Sequence, residues 1–416
     1  MKITIKEKTP ICFVIVFYLI VTQILSNNIS LIIILAGFFL FLALDHFKLE
    51  LNLPGKNIYF LLFFVCLITG MYSNISKSNQ VYSYMKQVLY FLCPFLYWVI
   101  GTKASKYKQI SHSDIISSLC VAAVLYSIYD IINSLLQLAT LGFSSLYEYR
   151  QLVGTSNFLA LIGIYMLIFY NSELHLNKFV NVMSYIVCFA SLFLHFSRTS
   201  IIELIILIIF SGLRINFKRV ATIAVSIILA IVVFSVMFPD LIGSFFLKSI
   251  NSIVEINQGA QFTSYSEIVH NWRGYESYCE LVRFNNASIF EQIFGNGFGT
   301  TLDPGGYAYL VTQEKTLLFL HNGYFTLLMI SGVSGILMYV IWLIQLFRSC
   351  AFLKIRQDRY FLKGLVFIIL LTSYFVRGPL FGNMSILFFI FGLIYEKNKQ
   401  LKQEKNVEKD LGRTSL

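Results

Sequence analysis

Five short stretches hold side chains that could bind an anion or move a proton. In FLHNGYFTLL, His321 and Asn322 stand at the mouth of a long apolar run. WRGYESYCE sets Arg273 and Glu276 three residues apart, able to share one face of a helix. HFSRTS carries Arg198, FVRGPLFG carries Arg377 and YEYRQLVGTSNFLA carries Arg150, each at the edge of an apolar run. Guanidinium forks match phosphate oxygens bidentately. A histidine takes a proton near neutral pH, which suits a general base acting on a sugar hydroxyl. Each residue alone has a plainer reading. An arginine at a span end snorkels to the headgroups, His321 lines an interface or caps a helix, and Arg273 with Glu276 forms a local ion pair.

The elements that must position these residues are membrane helices. Of 416 residues 57% are hydrophobic and 13% charged, with mean hydropathy +0.72. This predicts an all-α polytopic membrane protein of about twelve transmembrane helices. The spans are expected near 11–27, 30–45, 57–73, 87–102, 113–139, 155–171, 180–196, 199–212, 220–238, 320–347, 361–376 and 379–395. Residues 1–238 thus hold helices one to nine, 239–319 a large external loop, 320–396 the last three helices and 397–416 a basic cytoplasmic tail. MKITIKEK and the apolar run after it read as an uncleaved first span, because no small-x-small cleavage site follows.

The net charge of +11 is explained by its distribution. Most lysines and arginines fall on alternate short loops and the tail, the positive-inside pattern, which puts both termini in the cytoplasm and leaves no call for nucleic acid. The seven cysteines lie mostly in apolar runs and lack CxxC or Cys/His spacing, so neither a disulfide framework nor a metal site is expected.

By this topology the loop after Pro239 is external. Its length, roughly 80 residues, exceeds what a connector needs, and its aromatics argue for order. Short helices are expected around 266–284 and 287–293, then a Gly/Pro-rich turn region from Gly295 to Gly306. Gly295, Gly297 and Gly299 in FGNGFGT read as turn formers, since the strand and helix that flank a phosphate-binding glycine loop are missing. GVSG reads as a site of close helix packing. The same topology delivers Arg150, Arg198, Arg377, His321 and Asn322 to the outer face. Positive charge there opposes the topogenic bias, and a lipid diphosphate in the outer leaflet is an apt counter-ion.

A span followed by SRTS, a large external loop with RGYE, the IFGNGFGT turn, an HNGYFTLL…SGVSG helix, a late RGP and the earlier RQLVGTSNFLA resemble, in this order, the O-antigen polymerase and O-antigen ligase superfamily. The resemblance covers residues 145–385, and the first four spans carry no motif of that family. It implies a membrane-embedded glycosyltransferase that works without metal or cofactor on undecaprenyl-diphosphate-linked oligosaccharides, at the outer (periplasmic) face of a bacterial inner membrane. It implies His321 and Arg273 as the catalytic pair, Arg198 as a diphosphate contact, and Arg377 and Arg150 as further binding residues. Asn322 and Glu276 are candidates for orienting the base or the sugar. No Asp or Glu stands near His321 in sequence, so whatever orients the imidazole has to come from elsewhere.

Lipid-linked donor and acceptor, membrane lipid, a chain-length regulator and a flippase are the implied partners. Polymerase and ligase share the donor and differ in the acceptor, another lipid-linked repeat or lipid A-core. The polymerase is preferred because the chain is rich in Ile, Phe, Tyr, Asn and Lys, a bias associated with O-antigen and capsule gene clusters. From another class, a lipid-linked oligosaccharide flippase also fits a basic chain of about twelve spans, but transporters put their polar residues near the bilayer midplane.

Overall fold

A computed structural model describes residues 9–25, 27–44, 48, 52–73, 81–107, 110–141, 157–195, 197–211, 225, 232, 262, 264–310 and 315–414. The predicted span 220–238, apart from two isolated residues, the start of the loop at 239–261 and Arg150 lie outside them. The helices are α1 (Thr9–Ile24), α2 (Asn27–Leu44), α3 (Lys56–Ser73), α4 (Val81–Lys106), α5 (His112–Leu141), α6 (Phe158–Phe169), α7 (Asn171–Leu174), α8 (Lys178–Leu194) and α9 (Arg198–Ile209). Three loop helices follow, α10 (Tyr265–His270), α11 (Trp272–Asn286) and α12 (Ile289–Phe294), then α13 (Gly323–Ser349), α14 (Arg356–Phe375) and α15 (Leu387–Thr414). Among the described residues the only extended pairing is an isolated bridge between Leu302 and Leu317.

Among the described residues four helices are long and apolar enough to cross a membrane: Lys56–Ser73, Val81–Lys106, His112–Thr140 and Gly323–Phe352. Five shorter apolar helices accompany them. Phe13, Ile32, Phe39, Ile68 and Leu337 face outward from the bundle. An aqueous surface tolerates so much exposed apolar area poorly, whereas hydrocarbon solvates it. Among the described residues helices overlap the predicted segments, four of them with the length and apolarity of a span, and two boundaries differ. The last helix starts only at Leu387, after a tight turn at Asn383–Ile386, because the RGP segment before it is spent on a corner. It then continues to Thr414, so the basic tail extends the helix as regular structure.

The centre of the bundle is α4, whose Trp98 ring packs against Phe391 and Tyr395 of α15, both at 5.4 Å. The two ends of the bundle differ in chemistry. At one end His112, the first residue of α5, bridges two carboxylates, Glu173 of α7 at 2.8 Å from Nδ1 and Asp358 of α14 at 2.7 Å from Nε2. Asp358 is fully buried and also accepts from Tyr170 at 2.5 Å and from the Asn398 amide of α15. Both imidazole nitrogens face carboxylate oxygens, so this latch joins four helices through charge-assisted bonds.

At the opposite end the loop docks on the bundle. The Gly295–Gly299 turn enters a cleft between α3, α4 and α13. Gly297 donates to the Ile330 carbonyl at 2.7 Å, Phe298 to the Cys66 carbonyl at 2.9 Å and Gly299 to Gln87 Oε1 at 2.6 Å. Gln87 returns bonds of 3.0 Å to the carbonyls of Thr300 and Leu318. Helix α13 breaks at Gly332, where φ is 61° and ψ −162°, outside the helical region. The break frees the Ile330 carbonyl for the turn, which explains GVSG more fully than helix packing does.

Candidate functional site

His321 lies just before α13, and its backbone is pinned on several sides. Asn322 is the N-cap of α13, its Oδ1 accepting from the Tyr324 and Phe325 amides at 2.9 and 3.2 Å. Gly323 donates to the Val376 carbonyl at 3.1 Å, and Leu320 to Thr326 Oγ1 at 3.0 Å. Asn322 therefore serves the helix, and its oxygen is committed to backbone.

The group that orients the imidazole is Glu276, 45 residues earlier on α11. Its carboxylate lies 3.0 and 2.9 Å from His321 Nδ1 and accepts the His321 backbone amide at 3.0 Å and Trp272 Nε1 at 2.5 Å. Glu276 is 1% exposed, whereas the His321 side chain keeps 32%. A carboxylate on Nδ1 puts the ring hydrogen there and leaves Nε2 as the acceptor on the open side. A buried acid behind a half-exposed histidine, with the far nitrogen free, is the arrangement of a general base.

Two of the predicted arginines gather near this dyad. The Arg377 guanidinium lies 5.8 Å from the centre of the Phe319 ring. Its side chain keeps solvent access, yet the protein packed around its head desolvates it enough to lower its pKa, while the charges of Glu276 and Tyr90 act to raise it. Arg273, one turn before Glu276 on α11, is exposed and makes no ion pair with that carboxylate. The local salt bridge is thus replaced by the histidine pair, which leaves the Arg273 guanidinium open to a ligand. Arg198 opens α9, its side chain lying outside the described residues.

The loop helices are locked behind the dyad by charge. Arg283 of α11 makes paired bonds of 2.8 and 2.7 Å to Glu280, a residue with no exposed surface. Asn296, with its amide turned to suit both neighbours, accepts from Arg283 at 3.0 Å and donates to Glu291 at 2.8 Å. Ser288 and Glu291 form a capping box on α12. The backbone amide of Ser288, then its hydroxyl, hold the Glu291 carboxyl below its ordinary pKa. A lowered folded pKa contributes stability that is present above about pH 4.3 and lost as pH falls through the lowered value. The protection of residues 288–294, taken as exchange relative to the intrinsic rate at each pH, should accordingly fall between pH 7 and pH 3 in the native chain. A Ser288→Ala variant should exchange fast throughout, and an unchanged profile in the native chain would dismiss this role for Glu291.

A second polar cluster escaped sequence reasoning. Asp130, in the middle of α5, accepts from Ser191 at 2.5 Å, His195 Nε2 at 2.8 Å and the Asn157 amide at 3.3 Å. Asn157 belongs to the RQLVGTSNFLA stretch and caps α6 through the Ala160 amide at 2.9 Å. His195 belongs to HFSRTS. One buried carboxylate therefore ties together the two segments that carry Arg150 and Arg198. The signal was available as a lone aspartate inside the apolar run YSIYDIINSLL. Asp130→Ala strands three buried donors and should lower stability by about 3 kcal/mol. Thermal unfolding of detergent-purified protein measures this, and a native midpoint would show the cluster to be dispensable.

Among the described residues no group of three or more His, Cys, Asp or Glu side chains is placed to hold a metal ion. Comparison of the chain with protein-family models and with curated proteins gives no match, so the meaning of the site rests on its own geometry.

Proposed function

We propose that the chain is a membrane-embedded glycosyltransferase of the O-antigen polymerase type, joining undecaprenyl-diphosphate-linked repeat units at the outer face of a bacterial plasma membrane. The observation that carries this reading is the His321–Glu276 dyad with its open Nε2, flanked by Arg273 and Arg377. In this mechanism Nε2 takes the proton of an acceptor sugar hydroxyl as its oxygen bonds to the anomeric carbon of the donor. The bond from that carbon to the diphosphate breaks, and the diphosphate leaves with the electron pair, inverting the configuration. Glu276 stabilises the imidazolium that forms. Arg377 and Arg273, joined by Arg198, offset the charge growing on the leaving group without a metal.

The twelve-span topology with both termini cytoplasmic is part of the proposal. It is supported by the segregation of contacts. Gln87, Phe298, His321 and Val376 meet at one end of the bundle, and His112, Glu173, Asp358 and Asn398 at the other, as alternating spans require. The test is a gel of surface glycan from a deletion strain rescued with wild type or with His321→Ala. Single repeats on lipid A-core, lengthened only by wild type, make the chain a polymerase. Full lipid-linked chains that never reach the core make it a ligase, and an unaltered glycan in the deletion strain removes the enzymatic reading.

A further inference from the structure

The last loop helix, α12, has the sequence IFEQIF, and its polar and apolar side chains part company. Glu291 is held by the Ser288 hydroxyl at 3.0 Å, and Gln292 donates to the Phe284 and Ala287 carbonyls at 3.0 and 3.3 Å. Ile289, Phe290 and Ile293 turn outward instead, Ile289 at 77% exposure and Phe290 at 58%. The polar groups of α12 are satisfied inside the loop, while its large apolar ones are uncovered.

The position of α12 along the bundle decides what covers it. Helix α11 runs beside α13 in the same direction, since Glu276 meets His321 and, further on, Arg283 Nη2 donates to the Met329 carbonyl at 3.4 Å. The loop thus lies along the first part of α13, and α12 stands at the far end of that stretch from the dyad. The backbone of Gln292 and Ile293 comes so close to Gly332 that an added Cβ there would meet it at 2.5 to 2.6 Å. The turn that follows is seated on Gly70, near the end of α3.

At this same level two outward apolar stripes begin. From Gly323 to Gly332 no residue of α13 is exposed, whereas Val333, Leu337, Ile341 and Ile344 beyond the break are, all on one helical face. On α3 the exposed Phe64, Ile68 and Met71 form a second stripe that ends beside Gly70. The part of α13 from Gly332 to Ser349 is about 27 Å long, as is α3, against a hydrocarbon core of ~30 Å. Both therefore reach the edge of the hydrocarbon where α12 is docked. Water solvates three exposed apolar side chains poorly. A second protein needs about 800 Å² a side, more than a helix of 6 residues offers. Acyl chains cover this face as they cover the stripes that it continues.

We propose that α12 is an interfacial anchor, with Ile289, Phe290 and Ile293 among the acyl chains of the outer leaflet and the hydrocarbon edge at the level of Gly332. The inference concerns the bilayer alone and is independent of the glycosyltransferase reading. It also gives the site a height. Between Gly323 and Ser331 α13 rises about 13 Å along its axis, so His321 and Glu276 stand clear of the chains, on the outer side of the headgroup layer.

The experiment puts a tryptophan at 290 (Phe290→Trp) in the full chain, in nanodiscs of phosphatidylcholine with or without bromine on the upper part of the acyl chains. Bromine quenches an indole only on contact, so the emission added over that of the native chain reports lipid at this position. Tyr265→Trp is the aqueous counterpart, because Tyr265 lies by Tyr307 and Tyr275 at the opposite end of the loop. Both positions are aromatic and exposed, so the variants keep the native packing. Brominated lipid should remove most of the emission added at 290 and iodide in the water little of it, with the reverse at 265. Emission at 290 that iodide removes would put α12 in water, and emission that neither agent touches would put it under protein; either result overturns the anchor. Quenching by bromine at both positions would overturn it too, since the whole loop would then lie in the bilayer.

Discussion

Alanine in place of His321 is expected to lower glycan transfer about 10³-fold while the protein still inserts, purifies and melts as the native chain does. The imidazole contributes little to packing, because its side chain is one-third exposed and Asn322, Gly323 and Leu320 hold the local backbone through their own bonds. What disappears is the nitrogen that, in the proposed mechanism, receives the acceptor proton. Glu276→Gln should give a smaller but distinct loss, because a glutamine has one acceptor oxygen for the three donors that converge on this carboxylate. Turnover of purified enzyme on lipid-linked repeats separates the two effects. Activity near the native rate in His321→Ala would take the residue out of the mechanism.

The largest structural effect is expected at Gly297. Its φ of +73° belongs to the region that side-chain-bearing residues avoid, and a Cβ there would sit 1.8 Å from the Gly70 amide nitrogen. Neither partner is a flexible tip, since Gly70 is backbone of α3 and Gly297 is backbone of the docked turn. Gly297→Ala should therefore expel the turn from the cleft and break its bonds to Ile330, Cys66 and Gln87 together. A loss above about 4 kcal/mol is expected, enough to depress the unfolding midpoint sharply and to make the 295–300 segment sensitive to protease. A variant that melts with the native chain would show that the turn adapts, and that the contact is not structural.

Helical class and the four candidate spans near 57–73, 87–102, 113–139 and 320–347 were legible because apolar length is written directly in the sequence, and the loop helices because Ser264 with Glu267 and Ser288 with Glu291 spell capping boxes. The site was legible in part. His321, Arg273 and Arg377 could be singled out as polar groups at apolar boundaries. Glu276 could be named only as one of two candidates for orienting the base or the sugar, because its contact with His321 spans 45 residues and depends on how α11 lies against the start of α13. Asn322 has a helix-capping role beside the one expected for it, since an asparagine before an apolar run signals a cap as readily as a ligand. Asp130 was undervalued, because its partners come from two other segments that only folding brings together.

The break at Gly332 has a mechanical consequence. A helix interrupted there is two levers, a short upper one from Gly323 to Ser331 and a long lower one that ends at Ser349. The upper lever is clamped to the loop through the Ile330 carbonyl, and the lower one answers to the thickness of the bilayer around it. A tilt of the lower lever with bilayer thickness is expected to be taken up at this joint, where the i→i−4 ladder is already interrupted. His321 keeps its distance from the carboxylate behind it, and the candidate site is insulated from the lipid around the bundle.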